Sequence, residues 1–509
     1  MVTSLEGFNE YKEEDAERYN RLRWWLGITW GDLLDKAADL YPNKEALVDD
    51  TGRWTYAQVR ENVDRLAISL MKLGINKRDF VLVQLPNWHE FIYSFFALQK
   101  IDAIVVLLLP RHTQMEINHF CGLTNPKAWI LPEKYGRIDY SPIVDNVVKE
   151  NPQLEDHVIS VRGEGAGRCI SLEKLIDDAD LNEENLRELA GRRPDPMEVC
   201  QIMPTGGTTG LPKATPRTHN SYISNIEYHA RSWEITSEDT MMVITPVGHG
   251  MGLHWGIGAA LFCYAKLVLL DSTKPADICE AIQREEVTAM PTVPAILAMI
   301  VNFEDLKKYD LTSFKKVSVG GAPSTPDLVR AVHKKLGCKF ISGFGSVEGT
   351  ITSTRFEDSI ETTCYSIGKP DCPYDTLKIA DQKGREVPTD MEGELVSKGP
   401  GVFTGYFKSP EENKQVFTRD GFFRTGDLAK KDEFGNIRIT GRIKDIIIRG
   451  GENISALDVE NLISSHPGVE AVAVVGMPDK VLGERICAYI QPNRGTELTF
   501  DEILSLIHI

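Results

Sequence analysis

A nine-residue segment of glycine, threonine and lysine is the feature that most limits what this chain can fold into. It reads Thr205-Gly206-Gly207-Thr208-Thr209-Gly210-Leu211-Pro212-Lys213 and follows the apolar run 199–203, which is predicted to be a buried strand. Glycines let backbone N–H groups approach an anion, hydroxyls donate hydrogen bonds to phosphate oxygens, and lysine adds charge. A glycine-rich loop after a strand is typical of a nucleotide site. We therefore predict phosphate binding here, against the alternative of a flexible surface loop.

The spacing of this segment excludes the P-loop of kinases and related NTPases. That pattern needs a second glycine five residues after the first, and Ser or Thr directly after the lysine. Leu211 and Ala214 stand at those two positions. The glycine spacing of a dinucleotide-binding oxidoreductase is absent as well.

Charge and cysteine usage narrow the class of protein. The formal net charge of −17 argues against a general nucleic-acid or anionic-membrane binder, so a nucleotide site must concentrate positive charge locally. The nine cysteines show no CxxC pair and no zinc-like spacing, which is typical of reduced thiols. The N-terminus has no apolar signal region. We expect a cytoplasmic protein.

The uncharged segment 240–265 raises the question of a membrane span. It contains Pro246, two histidines and many glycines and alanines, which suit a bilayer poorly. A buried strand, a loop and a helix are predicted instead, with no membrane span.

Helical and strand patterns alternate through the first part of the chain, and this predicts an α/β protein with parallel sheets covered by helices. At 509 residues the chain should hold more than one domain. After Asp375 short strands and Gly/Asp turns predict a small antiparallel β-subdomain. Beyond Asp445 strands and helices again alternate, and this end is expected to form a small α+β domain that is incomplete. We expect a large domain over 1–443 and a small mobile domain over 444–509.

Four motifs occur in an order and spacing that identify a family. They are Thr205 to Lys213, Gly345-Ser346-Val347-Glu348-Gly349, Phe423-Arg424-Thr425-Gly426-Asp427, and Gly441-Arg442-Ile443-Lys444-Asp445. Together they resemble the adenylate-forming enzymes, a superfamily of acyl- and aryl-CoA synthetases, peptide-synthetase adenylation domains and luciferases. The resemblance covers essentially the whole chain. The runs 211–219 and 448–452 are most similar to those of 2,3-dihydroxybenzoate–AMP ligases.

This resemblance implies that a carboxylic acid is activated with ATP and Mg²⁺ to an acyl-adenylate, with release of pyrophosphate, and that a thiol then takes the acyl group. Thr205 to Lys213 would hold the phosphates, with Thr208, Thr209 and Lys213 as the main donors. Glu348 would bind Mg²⁺, since a hard cation prefers carboxylate oxygen. The alternative for Glu348 is an ordinary exposed acid. Val347 stands where the family usually has Thr, so one phosphate hydrogen bond is expected to be missing.

The resemblance also assigns the nucleoside contacts. Gly321-Ala322-Pro323 and Ser342-Gly343-Phe344-Gly345 match the adenine-binding segments. Asp427 would accept hydrogen bonds from the ribose hydroxyls, with a simple turn aspartate as the alternative. Arg442 would reach the ribose or the α-phosphate, and Lys444 matches the hinge of the small domain. The expected catalytic set is Thr208, Lys213, Glu348 and Arg442.

The acid pocket is expected near His249, Gly250, Met251, His254 and Trp255. In 2,3-dihydroxybenzoate ligases a His-Asn pair stands where His249-Gly250 stand, and a serine stands near the position of Trp255. Loss of these partners would leave ring hydroxyls unpaired at a cost of roughly 1–3 kcal/mol each. This favours an unhydroxylated acid. The alternative for both histidines is a structural role in the core.

The C-terminal end departs from the family pattern. The capping-box sequence Thr499-Phe500-Asp501-Glu502 predicts a helix start with only a short apolar stretch after it. The family's adenylation step uses a lysine of a Gly-Lys motif near the C-terminus, and the last lysine here, Lys480, does not match it. We expect a truncated or altered end that impairs adenylation, and a complete end to restore it.

The leading expectation from sequence is an acid:CoA ligase for an unhydroxylated aromatic, alicyclic or medium-chain acid. One alternative is a 2,3-dihydroxybenzoate-type aryl-AMP ligase that loads a carrier protein. Another is a non-catalytic adenylate-binding protein. The sequence does not distinguish CoA from a phosphopantetheinyl carrier, because both present the same thiol arm. No nucleic-acid partner is expected, and a homodimer is one option for the assembly.

Overall fold

The computed structural model describes residues 5–163, 165, 168–205, 211–449, 452–464, 466–479, 482–493 and 495–507. The chain forms two compact units. The larger comprises Met1–Tyr365, Pro370–Asp375 and Gly399–Lys414, and the smaller comprises Ser366–Lys369, Thr376–Lys398 and Gln415–Ile509.

The strands are, in chain order, β1 Glu45–Val48, β2 Arg53–Thr55, β3 Phe80–Val83, β4 Ile104–Leu107, β5 Ala128–Pro132, β6 Lys134–Tyr135, β7 Ile138–Asp139, β8 Val158–Val161, β9 Ile170–Ser171, β10 Val199–Thr205, β11 Lys213–Thr218, β12 Thr240–Val243, β13 Lys266–Leu269, β14 Ala289–Thr292, β15 Lys316–Val319, β16 Lys339–Gly345, β17 Ile351–Ser353, β18 Lys369–Pro370, β19 Thr376–Ala380, β20 Gly393–Lys398, β21 Phe423–Lys431, β22 Ile437–Arg442, β23 Ile446–Arg449, β24 Glu452–Ser455, β25 Val469–Asp479 and β26 Gly483–Pro492.

The α-helices are α1 Glu13–Arg21, α2 Trp30–Leu40, α3 Tyr56–Lys72, α4 His89–Lys100, α5 Gln114–Thr124, α6 Ser141–Glu150, α7 Leu172–Asp177, α8 Glu183–Ala190, α9 His219–Ser232, α10 Ala259–Phe262, α11 Pro275–Glu285, α12 Pro294–Val301, α13 Pro326–Leu336, α14 Ile360–Tyr365, α15 Pro410–Gln415, α16 Ala456–Ser464 and α17 Phe500–Ile507. Short 3₁₀ turns cover Pro152–Leu154, Leu306–Lys308 and Ile443–Asp445, and a π-helical segment covers Met251–Gly258.

Two mainly parallel sheets organise the larger unit. The first has the order β11-β10-β4-β3-β5-β8-β9, in which only the pair β10–β11 is antiparallel. The second includes the order β17-β16-β15-β14-β12-β13-β1-β2, with antiparallel pairs at both of these ends. Strands such as β4 are apolar and buried at every residue, as expected where helices cover both faces.

The helices divide the larger unit into layers. Side chains of α2, α3, α4 and α9 share one core with residues of both sheets, so these helices lie between the sheets. The outer face of the second sheet packs against α11, α12 and α13, and that of the first packs against α5 and α6. This layering confirms the predicted α/β class.

Local sequence sets where these helices begin. The Thr29 hydroxyl accepts from the Asp32 N–H at 3.2 Å, while the Asp32 carboxylate accepts from the Thr29 N–H at 2.8 Å. This reciprocal capping box satisfies two backbone donors that a helix start leaves unpaired. Thr55 and Gln58 repeat the arrangement at α3, and the predicted box at Thr499 and Glu502 is present at α17.

The smaller unit holds two antiparallel sheets. One has the order β19-β20-β21-β22 and confirms the β-subdomain predicted after Asp375. The other has the order β24-β23-β26-β25, and α16 and α17 share its apolar core. Lys444 lies in the 3₁₀ turn between β22 and β23. A domain boundary and a hinge at Lys444 remain predictions.

The uncharged segment 240–265 folds as a buried strand, a loop and a helical stretch, as predicted. Two glycines admit its π-helical part, since a Cβ at Gly252 would lie 2.4 Å from the Pro246 carbonyl oxygen and one at Gly256 would lie 2.3 Å from Val243. Among the described residues, no helix is both long enough and apolar enough to cross a bilayer.

Candidate active site

The predicted phosphate segment joins two antiparallel strands. Thr205 ends β10 and pairs in register with Lys213, which begins β11. The five residues between Thr205 and Leu211, which include the predicted donors Thr208 and Thr209, lie outside the described residues. The structure therefore fixes the two ends of the segment and the position of its lysine.

Lys213 contacts two side chains that sequence reasoning did not select. Its ammonium forms an ion pair with Glu412 and lies 4.6 Å from the centroid of the Tyr406 ring. An ammonium over an aromatic face is held by the ring quadrupole. Since these partners lie almost 200 residues away in sequence, no local pattern could reveal them.

Glu348 is a buried carboxylate, only 9% exposed, so the alternative of an ordinary exposed acid is wrong. The Tyr406 hydroxyl donates to Glu348 Oε1 at 2.6 Å, and the Phe403 N–H donates to the Glu348 carbonyl at 2.7 Å. The Tyr406 hydroxyl orients this carboxylate, and carboxylate oxygen is a ligand that suits a hard cation such as Mg²⁺.

Arg217 is a buried cation in this part of the larger unit, and no role was predicted for it from the sequence. It is 2% exposed. Its guanidinium donates to the carbonyls of Val347 at 2.8 Å, Gly401 at 2.5 Å and Ser221 at 3.1 Å, and to Asn225 Oδ1 at 2.7 Å. A buried charge is tolerated when its donors are satisfied in this way.

Gly349 lets the two loops approach each other. Its φ is +104°, and a Cβ there would lie 2.0 Å from the Gly401 carbonyl oxygen. Any side chain at this position would clash with Gly401 and push away the segment that carries Glu348. Glycine is therefore required at this position.

Asp375 stands beside the same loop. It is 7% exposed, and its Oδ1 accepts from the Gly401 N–H at 3.2 Å. Burial raises the pKa of Asp375 to about 7, although the Gly401 hydrogen bond and the charge of Arg217 oppose this rise. The carboxyl therefore titrates near neutral pH.

The two predicted adenine segments lie side by side. Gly321-Ala322-Pro323 follows β15, and Ser342 to Gly345 form the end of β16, which is parallel to β15. Thr354 holds Ser342 through hydrogen bonds of 2.9 and 3.0 Å. The carboxyl ends of parallel strands are where α/β sheets bind ligands.

Trp255 links the predicted acid pocket to these segments. Its indole is 3% exposed and lies so close to three glycines that a Cβ on them would be 2.7 Å (Gly320), 2.8 Å (Gly343) or 3.0 Å (Gly345) from the ring. The glycines therefore leave the room that the indole fills. Met251 also lies here, because a Cβ on Gly321 would be 3.7 Å from its Cε.

The buried side chain of His229 packs against the indole of Trp255. The His229 ring stacks on Trp255 with centroids 4.6 Å apart, and His229 Nδ1 lies 2.7 Å from Asp371 Oδ2. Burial raises the pKa of Asp371, but the hydrogen bond and charge of His229, with the charge of Arg355, lower it overall. His229 Nε2 has no hydrogen-bond partner among the described residues.

The two histidines of the predicted acid pocket differ. His254 is buried, and burial lowers its pKa to about 3, so the ring is neutral. Its Nε2 has no hydrogen-bond partner within the described part of the chain. His249 is exposed, and its Nδ1 accepts from the Met251 N–H at 3.3 Å. Gly250, between them, has open space at its Cβ position.

The predicted ribose contacts form a pair in the smaller unit. Asp427 on β21 and Arg442 on β22 are register partners, with Arg442 Nε 2.9 Å from Asp427 Oδ1. Asp427 is 4% exposed, which is unlike an ordinary turn aspartate. The Asp427 N–H donates to the Thr425 hydroxyl at 3.0 Å.

Comparison with known proteins decides the family. The model of the AMP-binding enzyme family matches residues 34–407, and that of the AMP-binding enzyme C-terminal domain matches residues 458–507. The chain belongs to the AMP-binding enzyme family. It is thus an adenylate-forming ligase, and ATP and Mg²⁺ are the cofactors of this family.

Individual relatives are aryl-AMP ligases and related enzymes. The chain is 35% identical to a 2,3-dihydroxybenzoate-AMP ligase of Bacillus subtilis, over 96% of this chain and 88% of the relative. It is 34% identical to a salicyl-AMP ligase / salicyl-S-ArCP synthetase of Mycobacterium tuberculosis, over 96% and 86%. It is 32% identical to a 2-hydroxy-7-methoxy-5-methyl-1-naphthoate–CoA ligase of Streptomyces carzinostaticus, over 98% and 90%.

A solved structure supports the same fold. The apo structure of MbtA from Mycobacterium smegmatis matches with a TM-score of 0.80 and 32% identity, over 98% of this chain and 92% of that one.

We predict that Gly349→Ala lowers the free energy of unfolding by about 2–4 kcal/mol, because backbone strain and overpacking add at this position. Urea denaturation measures the effect. Gly136→Ala is the matched control, since Gly136 also has a positive φ (+57°) but nothing within 4 Å of a Cβ. A loss no larger than that of the control would contradict the close approach to Gly401.

The raised pKa of Asp375 predicts that the free energy of unfolding depends on pH. Because the folded pKa of Asp375 lies above its unfolded pKa, the contribution of this carboxyl is complete below pH about 4. It is lost as the pH rises to about 7, at a cost of roughly 2–4 kcal/mol. Asp375→Asn should flatten this fall in denaturation curves measured between pH 4.5 and 7.5. Asp139→Asn, at an exposed carboxyl whose pKa is lowered, should leave it unchanged. An equal slope in wild type and Asp375→Asn would refute the assignment.

Proposed function

We propose that this chain activates an aromatic carboxylic acid with ATP and transfers the acyl group to the thiol of a carrier protein. In the first step a carboxylate oxygen attacks the α-phosphorus of ATP, the bond to the β-phosphate breaks, and pyrophosphate leaves. In the second step the thiolate sulfur attacks the acyl carbon, and AMP leaves.

The connection between Lys213 and Glu348 carries this proposal. A phosphate-binding lysine and a metal-binding carboxylate must act on one triphosphate, and here both contact the same side chain, Tyr406. Lys213 would bind β- and γ-phosphate oxygens and Glu348 would hold Mg²⁺, which neutralises charge on the leaving group. In a chain with a net charge of −17, compensation of the triphosphate would rest on Lys213 together with the Mg²⁺ that Glu348 would hold.

The surroundings of Trp255 support an acid site next to the nucleoside. The indole contacts Gly320 beside one adenine segment and Gly343 and Gly345 within the other. An acid that lies against Trp255 would therefore have its carboxylate close to the α-phosphate, and such proximity removes much of the entropic barrier of the reaction. The flat, largely apolar wall favours an aromatic ring.

The proposed acceptor and acid class differ from the leading expectation from sequence. That expectation was CoA and an unhydroxylated acid, whereas the aryl-AMP ligases among the relatives favour the alternative, a carrier protein loaded with an aromatic acid. The sequence alone could not choose between these acceptors, because CoA and a carrier protein end in the same phosphopantetheine thiol. A CoA ligase remains the second candidate, because one relative at 32% identity is named as one.

Calorimetry with acyl-sulfamoyl-adenosines tests the acid class, because these stable mimics of the adenylate bind without a catalytic step. We expect benzoyl, salicyl or 2,3-dihydroxybenzoyl forms to bind at least about tenfold more tightly than hexanoyl or cyclohexanoyl forms, given the usual selectivity of a shaped pocket. Preference for an aliphatic form would contradict the aromatic assignment, and no binding of any form would contradict adenylation.

Trp255 should set the size limit of this pocket. Replacement of the indole by serine opens space against Gly343, so the affinity for a naphthoyl mimic relative to a benzoyl mimic should rise about tenfold or more. Trp255→Phe, which retains an aromatic ring, is the control and should give a smaller change. An unchanged ratio would exclude Trp255 from the acid pocket, and a ratio is insensitive to a general loss of folded protein.

The acceptor is tested with preformed benzoyl- or salicyl-adenylate. Thioester formation on a phosphopantetheinyl aryl carrier protein should exceed that on free CoA at equal concentration, as measured by mass spectrometry. Faster transfer to CoA would favour the second candidate.

A further inference from the structure

Tyr406 is held rigidly in the larger unit, in the segment Gly399–Lys414. Its N–H donates to Asn413 Oδ1 and its carbonyl accepts from Asn413 Nδ2, both at 2.8 Å. Its ring is 5% exposed and meets the Phe403 ring edge-on, with centroids 5.0 Å apart. A side chain fixed at both its backbone and its ring can position other groups.

The hydroxyl and the ring face of Tyr406 each contact a predicted site residue. The hydroxyl donates to Glu348 Oε1 at 2.6 Å, and among the described residues no donor is bound to Oε2 of the same carboxylate. The ring face carries the Lys213 ammonium at 4.6 Å, and Glu412 completes the surroundings of that ammonium through an ion pair. One oxygen of Glu348 is thus oriented by Tyr406, and no donor in the described part of the chain holds the other.

We propose that Tyr406 is a positioning residue that couples metal binding to phosphate binding: its hydroxyl orients Glu348 toward Mg²⁺, and its ring holds Lys213 ready for phosphate. Glu412 occupies the ammonium in place of phosphate until the nucleotide displaces it. This inference rests on the proposed function, since it takes Lys213 as a phosphate ligand and Glu348 as the metal ligand.

The hydrogen bond of Tyr406 suits this role, because the hydroxyl donates to one oxygen of the carboxylate at 2.6 Å. Hydrogen bonds to a metal-ligating carboxylate fix its orientation, and their loss typically lowers metal affinity by about 10–100-fold.

Displacement of Glu412 from Lys213 by a triphosphate should lower the affinity for the nucleotide only moderately. The pair is partly exposed, with 30% of the Lys213 and 39% of the Glu412 side chain accessible. An exposed pair is worth about 0.2–1 kcal/mol, so a triphosphate can displace the carboxylate at a penalty below about fivefold in affinity. An uncompensated ammonium beside Tyr406 is avoided in the nucleotide-free protein.

The first experiment measures ATP binding by calorimetry as a function of Mg²⁺ concentration, for wild type and for Tyr406→Phe. Phenylalanine retains the ring under Lys213 and removes only the hydroxyl. We expect ATP binding in EDTA to stay nearly unchanged and the Mg²⁺ midpoint to rise about tenfold. Tyr56→Phe is the matched control, because Tyr56 is equally buried and donates its hydroxyl to the Ala265 carbonyl at 2.7 Å. It should leave the midpoint unchanged.

The second arm addresses Glu412. Glu412→Gln should tighten ATP binding in EDTA by about two- to fivefold, since the competing charge is removed. Glu411→Gln is the control, because the neighbouring Glu411 pairs with Lys414 instead. Unchanged ATP affinity in Glu412→Gln would remove Glu412 from the inference.

Two further outcomes separate this inference from the proposed function. An unchanged Mg²⁺ midpoint in Tyr406→Phe, or an equal loss with and without Mg²⁺, would overturn the positioning role while wild-type binding stays intact. If wild type binds no ATP, or if Glu348→Gln keeps the wild-type Mg²⁺ dependence, the proposed function itself fails at that point. Thermal unfolding of each variant identifies a loss that comes from misfolding.

Discussion

The buried guanidinium of Arg217 is the constraint on which the larger unit's site depends. A charge that is 2% exposed must have its donors satisfied, and its partners are the backbone carbonyls of Val347 and Gly401 together with groups on α9. Through these bonds one side chain joins a helix between the sheets to the two loops that carry Glu348 and Tyr406. Gly349 is the steric counterpart of this arrangement, because only a residue without a Cβ admits the Gly401 carbonyl so closely.

Electrostatics gives the second level of organisation. Adenylation brings a carboxylate and a triphosphate together, and this chain is strongly acidic overall. We propose that this difficulty is met locally, by Lys213 over an aromatic face, by Glu348 oriented by the Tyr406 hydroxyl, and by Glu412 as a partner that the nucleotide displaces. His254, whose pKa burial lowers to about 3, and the indole of Trp255 are both buried in the larger unit.

Much of the fold could be predicted from the sequence. The parallel strands, the first-half helices, the antiparallel sheet after Asp375 and the capping box at Thr499 all follow from periodicity, apolar runs and turn residues, which act over a few neighbouring positions. The motif around Glu348 was visible for the same reason. Tyr406 and Glu412 gave no such signal, and Arg217 lay within the family-like run 211–219 without a predicted role. The contacts that define these three residues are made with residues far away in sequence.

The sequence by itself determined the chemical inventory of this protein: the glycine- and threonine-rich segment, the four motifs and their order, and hence the family. These features are carried by residue type and local spacing, which are complete in one dimension. Only the tertiary structure decided which atoms meet. Tyr406 reaches Glu348 across 58 residues, and the indole of Trp255 fills the room left by glycines on two separate strand ends. Contacts of this kind depend on how the sheets and helices pack, because close packing selects one partner for each side chain from the whole chain.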